Sequence, residues 1–381
     1  MFSLLKSKKP EAKTVATFAV ESGSVTLTVI RISGKEAKII FINRKSVNIE
    51  KQDAPKDALR KTIAKIEEIF AELLHQKFFH VIAKSKTLML LGSSWSIAWR
   101  ESVSIKKDKP FRLTKAFIKE SIDQKFKSGH ADLQIISSHL MSVSMNGYKI
   151  KDPIGKTTPA LELDVFVEAA PIEALQAFST LIEKYLPHSG ISFSTTMFAS
   201  AEAISEHMGE QNFILLLPEA SSTEIAIVRD GAIHAGASLP FGSRTISREL
   251  FADLTDTEAR HKLMQFIEKR LDAVLANKIS GSIDAAKQKF LVDFHGALFS
   301  MSDSVLCPSV LFVGGKSPAA FFISDWIKKD DYAGQTLTAN CFRLSALSGH
   351  DLLDKESFSG KDLPFVSSIS LTAAKSFIIQ A

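Results

Sequence analysis

The sequence predicts an α/β fold built from two related halves, with a smaller α+β unit inserted into the first. Three observations lead there. A run of strand, strand, turn, strand and helix opens the chain and recurs past Pro187; duplicated α/β folds show such a repeat. The stretch between the two runs has a different rhythm. The chain of 381 residues, 45% hydrophobic and 23% charged, is long enough for two or three domains and too apolar for disorder.

In the first half, Thr14–Val20 and Val25–Ile32 read as strands joined by Glu21-Ser22-Gly23-Ser24, and Lys38–Asn43 as a third after the turn at Ser33-Gly34-Lys35. β-branched and apolar residues fill each run, and turn residues separate them. From Ala58 to Leu74 the apolar residues Ile63, Ile66, Ile69, Phe70, Leu73 and Leu74 fall at helical spacing. Phe79–Ala83 reads as a short strand. From Ser85 the pattern changes. Strand-like runs at Thr87–Leu91 and Trp95–Trp99 precede a helix at Leu113–Phe126, strands at Leu133–Asn146 and Ala160–Ala170, and a closing helix at Ile172–Tyr185. Trp95 and Trp99, four apart in a strand, share one face of a core.

The α/β rhythm then returns. A helix at Met197–His207 leads to strands at Phe213–Leu217, Thr223–Arg229 and Ala232–Leu239, the last two joined by Asp230-Gly231, a tight-hairpin pair. Helices fill Arg244–Asp253, Asp256–Ala276 and Ile283–Phe299. A strand at Ser309–Val313 runs into Gly314-Gly315 and a helix through Trp326, and a last helix covers Phe365–Phe377. The expected units are a basic leader (1–13), a first lobe (14–84), the insertion (85–185) and a second lobe (186–381), with the last helix returning to the first lobe.

The charge balance, 47 Lys+Arg against 42 Asp+Glu, gives +5 spread along the chain. That does not single out nucleic acid. Two cysteines, Cys307 and Cys341, make no disulfide framework and fit a reduced, cytoplasmic setting. No apolar run reaches the ~20 residues of a spanning helix, and Met1-Phe2-Ser3-Leu4-Leu5 is too short for a signal sequence. With Lys6, Lys8 and Lys9 behind it, this leader makes at most a weak membrane contact. His75, His80, His130 and His139 lack metal-ligand spacing and read as solvated or helix-terminal. Asp253, Asp256 and Glu258, between two helices, read as helix caps.

Three ordered segments carry a resemblance. Phe18-Ala19-Val20-Glu21-Ser22-Gly23-Ser24-Val25 lies where actin-like ATPases carry a first phosphate hairpin. Leu217-Pro218-Glu219-Ala220-Ser221-Ser222-Thr223 resembles their second hairpin, and Val310-Leu311-Phe312-Val313-Gly314-Gly315 their adenosine motif. Asn146-Gly147-Tyr148, Pro153-Ile154-Gly155-Lys156 and the helix from Pro364 are similar to the FtsA/PilM branch. The resemblance spans about residues 14–375. It implies an actin-like, ribonuclease H-like duplicated fold with an SHS2-type insertion. It also implies a protein partner at the cytoplasmic face of the inner membrane, in cell division or type IV pilus assembly, and self-association.

The departures bear on mechanism. Ala19 and Glu21 stand where active members of the superfamily carry a metal-binding acid and a glycine, and Pro218 removes an N–H from the second hairpin. Glu21 and Glu219 bring negative charge to a phosphate position, and Glu224 is off the expected place. The expectation is a pseudo-ATPase with no catalytic residue, no metal and no required cofactor. A vestigial site for ATP or ADP would use Gly314, Gly315, Ser222 and Thr223, the Gly-Gly pair leaving backbone open to a purine. The alternative is an active Mg-ATP-dependent ATPase or sugar kinase. Partner binding is expected in the insertion, at Tyr148, Lys149, Lys151 and Lys156, where a rigid aromatic stands among cations.

Overall fold

The computed structural model describes residues 12–380 apart from residues 50–52, 78, 84, 127–131, 188, 252–253, 303–305 and 355. Most of the basic leader, His130 and Asp253 lie outside the described residues. The first sheet has the order β3-β2-β1-β4-β9, formed by β1 (Lys13–Glu21), β2 (Ser24–Ser33), β3 (Glu36–Ser46), β4 (Lys86–Leu91) and β9 (Ile191–Thr195). The second has the order β12-β11-β10-β13-β14, formed by β10 (Phe213–Pro218), β11 (Thr223–Arg229), β12 (Ala232–Leu239), β13 (Val310–Gly314) and β14 (Arg343–Leu347). In each, the central strand pairs antiparallel on one side and parallel on the other: β1 with β2 and β4, β10 with β11 and β13. The two lobes repeat one topology, and the fold is the expected duplicated α/β.

Both sheets are covered on both faces, which is why β10 reads as an unbroken apolar run rather than an alternating one. Between the sheets lie α5 (Thr196–Met208) and α10 (Phe365–Gln380), which share a core with Val15, Ile30, Leu215 and Ala226. The outer face of the first sheet carries α1 (Pro55–Leu74), α2 (Phe79–Ile82) and α4 (Ile172–Tyr185), with Phe70 stacked on Tyr185 at 4.4 Å. The outer face of the second carries α6 (Ser243–Leu250), α7 (Asp256–Ile267), α8 (Ala273–Met301) and α9 (Pro318–Lys328). Local signals fix several ends. Thr195 caps α5 and Gly209 ends it at φ 64°, while Thr255 and Glu258 form the capping box of α7.

A third sheet, β5-β8-β6-β7, comprises β5 (Ile97–Arg112), β6 (Leu133–Met145), β7 (Tyr148–Lys149) and β8 (Thr157–Pro171), backed by α3 (Lys115–Phe126) with its own small core. The insertion is therefore narrower than 85–185. β4 belongs to the first sheet, and the helix read as closing the insertion packs on that sheet through Leu175, Phe178 and Ile182. Phe79–Ile82 is a helical turn, not a strand. Trp95 lies in the turn before β5, its ring edge-on to Phe178 in the first lobe, so it shares no strand face with Trp99. The helix read over Asp256–Ala276 is broken at Lys269, whose φ is 55°.

Candidate functional site

The tips of two hairpins, one from each lobe, meet directly. The β1–β2 tip (Glu21–Ser24) faces the β10–β11 tip, which closes on itself through Glu219 N–H to Ser222 O at 2.8 Å. Ser22 N–H donates to Glu219 Oε2 at 2.8 Å, and Ser221 N–H donates to Ser22 Oγ at 3.0 Å. Gly23 lies so close to Ala220 that an added Cβ would overlap the alanine's own. Arg244, near the start of α6, ties the lobes further, donating to Ser221 Oγ at 3.0 Å and to Val47 O at 3.1 Å.

Backbone N–H groups at such hairpin tips are the donors a phosphate would use. Here the Glu219 carboxylate takes the Ser22 donor, so an intramolecular anion sits in the cradle. Its pKa is raised to about 7, chiefly by burial, with the Glu21 charge adding and the N–H groups of Ser22 and Ser93 opposing. Glu224 is pushed well above the ordinary carboxylate range by burial and by Glu219, and accepts from Thr196 Oγ1 at 3.0 Å. Glu21 is held by Ser24 Oγ at 2.8 Å and Arg44 at 3.3 Å. Among the described residues, no group of three His, Cys, Asp or Glu side chains is arranged to hold a metal ion.

The nucleotide residues read from the sequence divide: Ser222 and Thr223 are held by partners at the junction, while Gly314 and Gly315 line a cleft. Thr223 Oγ1 donates to Phe241 O at 2.6 Å, and Ser222 Oγ shares a 2.7 Å hydrogen bond with Ser93 Oγ. Gly314 ends β13, and what approaches its backbone is the Phe365 ring: a Cβ there would stand 2.8 Å from two ring carbons and from Leu217 Cδ2. Gly315, at φ 86°, turns the chain into α9, where Ser317 caps the helix. The cleft beside these residues, reached by Glu21, Arg44, Lys316 and Phe365, holds about 170 Å³. Ligand pockets run to roughly 300–1,000 Å³. Nothing in the sequence around Phe365 announces that an aromatic from the last helix fills this place.

A second cavity, of about 320 Å³, opens where β6 of the inserted sheet meets the free edge of β9, α5 and α10. Its walls include Phe193, Phe198 and Phe377. The His139 ring stacks on Phe198 at 3.6 Å between centroids and lies 3.2 Å from the buried Glu168, so it is neither solvated nor helix-terminal. At the rim, burial raises the pKa of Glu202, whose Oε1 accepts from Ser376 at 2.8 Å. Ser137, His139 and Glu168 are the residue types of a hydrolytic triad, but their arrangement is wrong for one. Serine and carboxylate both meet His139 Nε2, and Ser137 donates to Glu168 directly, so the two ring nitrogens do not bridge nucleophile and orienting acid.

Tyr148, Lys151 and Lys156 lie at the far end of the inserted sheet, whereas Lys149 lines a cavity of about 260 Å³ with Asp164 and, from the second lobe, Asp230 and His234. Asn146 and Gly147, both at positive φ, make the tight turn before Tyr148, which is 75% exposed.

No family model matches the chain, and no curated protein matches it. Solved structures do. A chain from the structure of a PilM–PilN type IV pilus biogenesis complex superposes at a TM-score of 0.65 with 12% identity, over 94% of this chain and 98% of that one. The ethanolamine utilization protein EutJ from Carboxydothermus hydrogenoformans gives 0.45 with 10% identity, over 95% and 89%. A Ppx/GppA family member from Aquifex aeolicus gives 0.34 with 12% identity, over 80% and 67%. The chain thus has the actin-like fold, and it shares that fold over nearly its whole length with a chain of the PilM–PilN complex.

Proposed function

We propose that this protein is a non-catalytic, PilM-like scaffold that holds a protein partner at the inner-membrane face in type IV pilus assembly. The observation that carries this reading is the closed hairpin pair, with Glu219 in the phosphate cradle and Gly23 against Ala220. A nucleotide phosphate would have to displace a buried carboxylate and separate the lobes. The partner's chemistry follows from the second cavity. Aromatic walls, the Glu202 carboxylate and the free edge of β9 suit an extended, apolar tail that carries a cation. The likeness to a chain of the PilM–PilN complex supports a partner of that kind. Tyr148, Lys151 and Lys156 form a separate contact surface at the other end of the inserted sheet.

Purified protein with ATP and Mg²⁺ should show no turnover above background. Steady-state hydrolysis within the ~1–10³ s⁻¹ of ordinary enzymes overturns the scaffold reading in favour of the ATPase or kinase. Phe198→Ala should weaken capture of the partner's tail at least tenfold, about 1.4 kcal/mol, by calorimetry with a synthetic tail peptide. Unchanged affinity moves the docking site away from this cavity.

A further inference from the structure

The distal end of the inserted sheet has a charge the rest of the chain does not. β5 runs for 16 residues, roughly 50 Å at strand rise, so this end stands well away from the first lobe. There the β5–β8 register jumps from Lys106↔Ala160 to Phe111↔Thr158, and the residues between bulge out of the ladder. Such a bulge re-aims side chains away from the sheet. It presents Lys106 and Lys109, and the adjoining loop presents Lys151 and Lys156, all four exposed, while Lys107 lies over the Phe111 and Phe117 rings at 4.9 Å and Lys149 faces the cavity with Asp164 and Asp230. None of these four pairs with a carboxylate among the described residues, and Asp108 and Asp152 are the acidic neighbours in the same two segments. The whole chain carries only +5. Between the cations stand two exposed apolar groups, Tyr148 and Ile154, at 75% and 48%.

We propose that this tip binds an anionic phospholipid surface. The proposal rests on the reading of the insertion as the working part and names the chemistry that its outer end meets. The tip is a bulge, a tight turn and a loop, a convex end. The cations are almost all lysine, compact hydrated charges suited to diffuse headgroups; the bidentate forks of arginine suit a defined carboxylate or phosphate. Tyrosine at a water–lipid boundary keeps its hydroxyl wet while its ring meets the acyl edge. Near an anionic leaflet each lysine adds about fivefold to partitioning. Four on one convex end give useful avidity without a pocket.

The full chain should co-sediment with vesicles of equimolar phosphatidylcholine and phosphatidylglycerol, not with phosphatidylcholine alone, and salt should weaken the binding. Lys106→Glu, Lys109→Glu, Lys151→Glu and Lys156→Glu combined should lower partitioning by ~100-fold or more. The corresponding Lys→Gln set should lower it less, with unchanged melting. Lys6→Glu, Lys8→Glu and Lys9→Glu in the leader should leave it intact. Indifference to phosphatidylglycerol overturns the proposal, as does loss confined to the leader variant. Retention of a polyglutamate peptide with no vesicle binding also overturns it and points to an acidic protein. Phe198→Ala should not alter vesicle binding, so failure of tail capture and failure of lipid binding are read separately.

Discussion

Replacing Glu168 by alanine should lower the unfolding free energy by ~3–5 kcal/mol, the range for removing one partner of a buried charged network. Its side chain is fully buried and accepts from Ser137, His139, Ser194 and both the N–H and hydroxyl of Thr195. These donors come from β6, β9 and the cap of α5, so one carboxylate pins the inserted sheet to the first lobe. Alanine would leave the buried N–H and hydroxyl of Thr195 without this acceptor and take it from Ser137, His139 and Ser194 at the cavity wall. Burial alone would raise the Glu168 pKa, but the His139 hydrogen bond and charge, with Ser137 and Thr195, outweigh it and hold it below the ordinary value of 4.5. Its contribution is therefore present above that ordinary value and is lost as pH falls through the lower folded one. Urea denaturation at neutral pH checks the magnitude. A loss under ~1 kcal/mol would show that water or relaxation satisfies these donors.

Glu219→Gln should act in the opposite sense and depend on pH. The ordinary carboxyl titrates at 4.5 and this one at about 7 in the folded protein. The folded state binds more protons across that interval, so the Glu219 contribution to stability is fully present below 4.5 and is lost, by about 3 kcal/mol, as pH rises through 7. Glutamine keeps an acceptor for Ser22 N–H and removes the ionisation. The variant should melt higher than wild type at pH 8 and close to it at pH 4.5, with a flatter profile between. Equal melting curves across the range would place the Glu219 charge outside the junction. The Glu224 carboxyl, also raised, leaves some pH dependence in the variant.

The sheet strands were legible because each buried run carries β-branched and apolar residues between turn signals, and Asp230-Gly231 forms the positive-φ pair its sequence requires. Pro218 and Glu219 were legible as departures from a phosphate hairpin, and Glu219 Oε2 accepts from Ser22 N–H at the junction. What escaped depends on partners distant in the chain. β4 and α4 carry local patterns identical to those of an insertion, and only pairing with β1 and packing on Phe70 assign them to the first lobe. β9 and β14, five residues each, are edge strands whose partial burial blurs the alternation. His139 looked solvated because its partners, Glu168 and Phe198, are 29 and 59 positions away along the chain and no periodicity links them. The outcome at Gly314 rests on Phe365, from a helix that local reading could place only as the last element.

That helix, α10, has a consequence for synthesis. It lies against β1, β2 and β3, and Thr28 donates to Ser367 Oγ across 339 positions. Its Ser367, Ser368, Ser370 and Thr372 are all fully buried. On the ribosome, the opening strands emerge with one apolar face unprotected, and at ~5–20 residues per second their cover follows roughly 20–70 s later. During that interval the nascent first lobe presents an apolar β-surface to its surroundings. A temporary occupant such as a holdase chaperone would have to leave before α10 can dock. The rate of native-lobe formation is then set by the arrival and docking of the final helix, however fast the β1–β2 hairpin itself forms.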